Sequence, residues 1–183
     1  MNRVFVLSPA NCNGLRARWV LKKNSRSDLA LRLRSSGVPL GEVFTYLSAL
    51  YFRGKLAYAQ AHAAPPPGCP GVLIITPNSG LVPHDVLIQL PKLRGFARVP
   101  IHLKNRLYCC SLRRSARKLA VDIGPNCEVI LLGSVGTAAQ AGAGFPHAES
   151  FLRTLSVAAG VWLGVPLCGD AHRHAPARSG ASF

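Results

Sequence analysis

The sequence predicts an α/β domain: a small, open, mainly parallel sheet with helices on both faces, followed by an irregular C-terminal tail. Three observations carry the prediction. Short β-branched apolar runs recur through the first 133 residues, amphipathic helical patterns lie between them, and each run stops at or next to Pro or Gly. Strands buried on both faces read as near-continuous apolar runs rather than as alternation. Strand–helix alternation implies crossovers that place helices against the sheet.

The first run, Arg3-Val-Phe-Val-Leu7, closes at Ser8-Pro9. Ser27 is placed to cap a helix over Asp28–Arg34, because its hydroxyl can accept a free amide of the first turn, and Gly37 ends the segment. A second helix covers Glu42–Ala63, with Val43, Leu47, Leu50, Leu56 and Ala59 at helical spacing and a break near Gly54. Ala64-Pro-Pro-Pro-Gly68 is a stiff surface loop that leads into the second strand, Gly71–Thr76. The third helix, Asn105–Ile123, sets Leu112, Ala116, Leu119 and Ile123 on one face and stops at Gly124-Pro125. Glu128–Leu132 is the third strand.

Residues 1–136 form the domain, and 137–183 read as a low-order Ala/Gly-rich tail. From Ser134 onward there is no Lys, Ile, Tyr, Asn or Met, and Ala and Gly fill 18 positions. Lys plus Arg and Asp plus Glu number 19 and 5 in the first 133 residues, but 3 and 2 afterwards. Periodicity fails where a strand-to-helix turn should launch another helix. The tail therefore reads as a shifted frame in GC-rich DNA, beginning near Thr137–Gln140, or as an extended arm.

Across 183 residues, 22 Lys and Arg face 7 Asp and Glu, a formal charge of +15 and a pI near 10.5. Such a surplus implies a polyanionic partner, because each neutralised phosphate releases condensed counterions. Codon bias toward Arg is the plain alternative. The six cysteines show no C-x-x-C, and Cys109 and Cys110 are adjacent, which suits neither a zinc ribbon nor a disulfide framework. They read as reduced, mostly buried thiols of a cytoplasmic protein. Val4–Leu7 is shorter than the apolar region of about 7–15 residues in a signal peptide, and Leu155–Leu167 is too short to span a bilayer. No membrane association is expected. The absence of a Walker lysine loop, G-x-G-x-x-G, paired-carboxylate and H-E-x-x-H motifs disfavours kinase, NAD-oxidoreductase and zinc-protease readings. Cys168, His172 and His174 have ligand-like spacing but no fourth ligand, so no metal and no cofactor is expected.

In open α/β sheets, ligands sit beyond the carboxyl ends of the strands. The loops Ser8–Gly14, Thr76–Pro83 and Gly133–Gly136 fall there. Within them Ser8, Asn11, Gly14, Asn78, Ser79, Gly80, Gly133 and Ser134 offer hydroxyls, amides and approachable backbone N–H groups for a nucleotide. Cys12 is the candidate nucleophile, and Asp85, beside His84, is the candidate acid or base. Packing is the plain reading of Cys12, and capping a helix from Val86 that of Asp85. Arg16, Arg18, Lys22 and Lys23 form one basic cluster. Arg113, Arg114, Arg117 and Lys118 form another, with Lys92–Arg106 between them. Tyr46, Tyr51, Phe52, Tyr58 and Tyr108 are interspersed, though Tyr51-Phe52 also read as core. Basic residues grip phosphates and aromatics stack on unpaired bases, which favours RNA over duplex DNA as the partner. The alternative is a non-catalytic basic module that docks an acidic protein.

The stretch Val72-Leu-Ile-Ile-Thr-Pro-Asn-Ser-Gly-Leu-Val-Pro-His-Asp85, followed by Leu90-Pro91 and Val99-Pro100, resembles a segment of archaeosine synthases. That segment belongs to the uracil-DNA-glycosylase-like domain that follows their tRNA-guanine-transglycosylase-related part. The Ser8–Gly14 loop, with Cys12, is similar in placement to a Cys- and Lys-containing loop of that family. Here no Lys stands in the loop, Lys22 is the nearest, and no catalytic lysine carries over. The resemblance spans residues 3–133 and rests on one loop. It implies an α/β fold similar to uracil-DNA glycosylases and a link to modified nucleobases.

Overall fold

A computed structural model describes residues 1–102 and 104–133. Strand β1 (Asn2–Leu7) is flanked in parallel by β3 (Val72–Thr76) and β6 (Cys127–Leu132), with Phe5 opposite Val72 and Asn2 opposite Cys127. The three apolar runs are therefore the three parallel strands. A fourth strand, β4 (Gly80–Pro83), runs antiparallel to β3 at the edge, giving the order β4-β3-β1-β6. The segment from Thr76 to Pro83, expected as an open ligand loop, is instead a tight hairpin. Gly80 makes the reversal at φ 66°, where a side chain would be strained. Thr76 Oγ1 then donates to the Gly80 carbonyl at 2.8 Å. Pro83 is tolerated because an edge strand needs no outward donor.

Each strand sends alternate side chains to opposite sides. Phe5, Leu7, Val72, Ile74, Ile130 and Leu132 enter one apolar cluster, while Val4, Val6, Leu73, Ile75 and Leu131 enter the other. Burial of each such side chain contributes roughly 1.5–3 kcal/mol. Helix α5 (Arg106–Ile123) covers the second side with Tyr108, Leu112, Leu119 and Ile123. Asn105 caps it, its side-chain oxygen accepting the amides of Leu107 and Tyr108. The first side is covered by α1 (Leu15–Leu21), α2 (Asp28–Arg34), α3 (Leu40–His62) and α4 (Leu90–Ala97), through Val20, Leu33, Phe44, Phe52, Leu93 and others. Helices thus lie on both faces, as expected. Among the described residues, no helix is long and apolar enough to cross a membrane.

The details depart from expectation in three places. Helices α1 and α4 are additions: α1 buries only Ala17 and Val20, too little to show a period. Ser27 caps α2 as read, accepting the Ala30 amide at 3.3 Å. The break in α3 falls at Ala49 (φ 55°, ψ −139°), not at Gly54, whose backbone carries no positive φ. No helix begins at Val86. Leu87–Ile88 form strand β5, paired with β2 (Val38–Pro39), and the next helix starts only at Leu90 behind Gln89, so Asp85 caps nothing.

One contact ties the layers together. A Cβ at Gly80 would overlap the Ser115 hydroxyl and the Ser111 carbonyl of α5, so the glycine permits the approach. Ser115 Oγ in turn accepts the Leu81 amide at 2.8 Å. Ser134, the remainder of the third loop and the tail with Cys168, His172 and His174 lie outside the described residues.

Candidate functional site: a cleft at the carboxyl ends of β1 and β3

Leu7 ends β1, and the chain then has to turn. Pro9 forbids further pairing through its own nitrogen. Asn11 closes the turn, its side-chain oxygen accepting the Asn13 amide at 2.9 Å and its carbonyl accepting the Gly14 amide at 3.4 Å. This is an Asx turn. The Ser8 amide donates to the Leu132 carbonyl at 3.0 Å, extending the β1–β6 ladder by one bond. Ser8 is thereby fixed at the sheet's end, and the rest of the loop rises above it.

A cleft of about 530 Å³ opens there, a size that suits a small ligand. Its polar side is Ser8, Asn11, Cys12 and Asn13 from the first loop. Pro77, Val99, Pro100 and Ile101 make an apolar wall, with Phe96 from α4 and Tyr51 from α3. The expected convergence of the β1 and β3 loops is therefore real, but the second loop contributes Pro77. Asn78 and Ser79 turn into the hairpin: Ser79 Oγ is 2.9 Å from Asn78 Oδ1, and the Asn78 carbonyl accepts the Ser111 hydroxyl at 3.1 Å. Gly80 packs on α5 and belongs to the core. Gly14 starts α1 at φ −67°, an ordinary conformation. Gly133 follows β6 directly.

Cys12 is 4 % exposed, and its thiol points at the Ala10 carbonyl, 3.6 Å away. Burial pushes its pKa up to about 12, so at neutral pH it is a thiol, whereas thiol chemistry requires the thiolate. Asp85 does not accompany it. The His84 amide bonds the Val72 carbonyl at the amino end of β3, so Asp85 sits roughly 13 Å along the strand direction from the end that forms the cleft. The two candidate catalytic residues occupy opposite ends of the sheet.

Lys55 is the residue that sequence reasoning missed. It lies on α3, one turn after Tyr51, and its Nζ donates to Ser8 Oγ at 2.5 Å. The ammonium also stands 4.5 Å from the Tyr51 ring centre and 5.4 Å from that of Phe52. Burial without an acidic partner pulls its pKa down to about 8. The available signal was the spacing Tyr51-x-x-x-Lys55, which puts both on one helix face. The aromatic pair itself divides: Phe52 is buried and Tyr51 is 68 % exposed.

The basic clusters also divide. Arg16, Arg18, Lys22 and Lys23 belong to α1 and its end, on the first side of the sheet. Arg113, Arg114, Arg117 and Lys118 are exposed on α5, which covers the other. Lys118 pairs with Asp122 at 2.7 Å. Arg3 pairs with Glu128, and Arg32 with Asp28 and Glu42. Among the described residues, four of the five acids are therefore paired, and 16 of the 19 Lys and Arg have no carboxylate partner. No three His, Cys, Asp or Glu side chains within the described residues gather as a metal site. Comparison with protein-family models, with curated proteins and with solved structures yields no match to this chain.

Proposed function

We propose that this domain binds single-stranded nucleic acid, RNA in preference to duplex DNA, and receives one unpaired base in the cleft above β1 and β3. The observation that carries the reading is the composition of that cleft, an exposed Tyr51 ring for stacking and Asn11 and Asn13 amides for a base edge, together with the Lys55 ammonium bonded to its lining residue Ser8. Stacking on an aromatic ring tolerates any base, while amides and cations orient it. The surplus of unpaired Lys and Arg supports the same partner, since a strand needs phosphate contacts along its length.

The test is fluorescence anisotropy with a labelled oligouridylate, a duplex of equal length and heparin as competitor, each across a salt series. The single strand is expected to bind more tightly than the duplex and to resist heparin. Tyr51→Ala is expected to weaken it by about 5- to 100-fold, the range for losing one stacked base. Equal competition by heparin, with no effect of Tyr51→Ala, would mean a general polyanion surface and would end the reading.

A further inference from the structure

Helix α3 carries a second recess on the other side of its exposed turn. Where the helix breaks at Ala49, a groove of about 290 Å³ opens between α1 and α3. Arg16 and Trp19 come from α1, and Tyr46, Leu50 and Arg53 from α3. Its floor is apolar and open to solvent: Trp19 is 49 % and Leu50 72 % exposed. Its rim is cationic. Arg16 Nη1 donates to the Tyr46 carbonyl at 3.1 Å, three residues before the break. That bond anchors the guanidinium while leaving its other donors for a ligand. Arg53 is exposed and, among the described residues, has no carboxylate partner. The nearest acids in sequence, Asp28 and Glu42, are both held by Arg32.

We infer that this groove seats a second nucleotide of the same bound strand, its base against Trp19 and its phosphate between Arg16 and Arg53. The inference rests on the single-strand reading above and adds where the strand continues. Charge and shape select the occupant together. A planar base with a phosphate uses both the indole face and the two guanidinium groups, whereas a purely anionic partner would use the arginines and leave Trp19 and Leu50 in water. Leu50 lines the groove and the next residue, Tyr51, lines the cleft. A strand crossing α3 at this turn meets both in succession.

Trp19 reports on its own site. The chain has 2 tryptophans, so the full-length Trp162→Phe protein leaves Trp19 as the sole indole. Titration with an oligouridylate is expected to quench its fluorescence, and an abasic phosphodiester chain of equal length is not. Trp19→Ala is expected to lower oligouridylate affinity by about 5- to 100-fold. Arg53→Ala, at an exposed position, is expected to lower the salt slope by about 0.7. Binding without quenching, with Trp19→Ala and Arg53→Ala unaffected and Tyr51→Ala weakened, would remove the groove and leave the cleft reading intact. Equal binding of the abasic chain, heparin and oligouridylate would overturn both, and would point to an acidic partner instead.

Discussion

Replacing Lys55 by Met tests the buried ammonium behind Ser8 through stability alone. The wild-type ammonium is drawn from its ordinary value of 10.5 down to about 8 by burial. At full burial such a displacement corresponds to about 3 kcal/mol. The group is still partly open to water, and screening reduces the effect to about 1–1.5 kcal/mol. Its sign follows from proton linkage. Below pH 8 both states are charged, and the fold carries the whole penalty of a buried cation. Between pH 8 and 10.5 the folded state releases a proton that the unfolded state keeps, so stability rises with pH. Methionine has no charge to bury. Denaturant unfolding of the wild type and Lys55→Met at pH 7 and pH 10.5 should show the wild type gaining about 1–1.5 kcal/mol on the variant. The hydrogen bond to Ser8 shifts both comparisons equally, by about 1 kcal/mol. Cys12 and Tyr108, each raised to about 12 by burial, lose stabilisation above pH 9 and pH 10 respectively. They do so in both proteins and cancel in the difference. A difference that stays flat from pH 7 to pH 10.5 would show that Lys55 is solvated and that no desolvated cation stands behind Ser8.

Gly80→Ala should cost about 2–4 kcal/mol, from overlap with Ser111 and Ser115 and a strained positive φ. Thermal unfolding would register it as a fall of about 10 °C or more, and an unchanged midpoint would mean that α5 does not rest on β4. Ala49→Gly should stabilise by about 1 kcal/mol, the relief of left-handed strain at φ 55° less the entropy of an added glycine; a lower midpoint would contradict the strain. Brief alkylation at pH 8, read by mass spectrometry, should label exposed Cys110 and spare Cys12 until denaturant is added. Arg113→Ala combined with Arg117→Ala should leave the salt slope of oligouridylate binding unchanged, because α5 faces away from α1 and α3. A slope reduced by more than about 1 would move the interface to α5.

The parts of the fold that were legible were those written in long-range burial. Val4–Leu7, Val72–Ile75 and Ile130–Leu132 are apolar on consecutive positions because helices cover both sheet faces, and that signature survives in any one strand. Helix α5 was equally plain, with five buried positions at helical spacing between Asn105 and Gly124. The short helices α1 and α4 were not: they bury two and three residues and lack a capping side chain such as Ser27, which marked the equally short α2. The hairpin at Gly80 hid behind composition, since Pro-Asn-Ser-Gly reads alike as a ligand loop and as a turn. In the site, Ser8, Asn11 and Cys12 were legible because a parallel sheet dictates where its loops gather. Lys55 was not, because the Tyr51-x-x-x-Lys55 spacing sets both on one helix face without saying that this face meets Ser8 at the end of β1. The distance of Asp85 from the cleft was hidden for the same reason: the direction of β4 decides which end of the sheet it reaches.

The central position of β1 has a consequence for how the chain comes to fold. Its two neighbours join it late, and the Arg3–Glu128 ion pair closes a separation of 125 residues. During synthesis at about 5–20 residues per second, the first strand emerges roughly 6–25 seconds before its β6 partner exists. Throughout that interval a strand that is apolar on both sides has at most β3 beside it. Parallel pairing at such separation is slow to nucleate, so β6, the last strand made among the described residues, is the step that commits this sheet. Substitutions that weaken β6 should therefore lower the yield of folded protein more than their equilibrium cost implies, through capture of the waiting β1–β3 pair by aggregation.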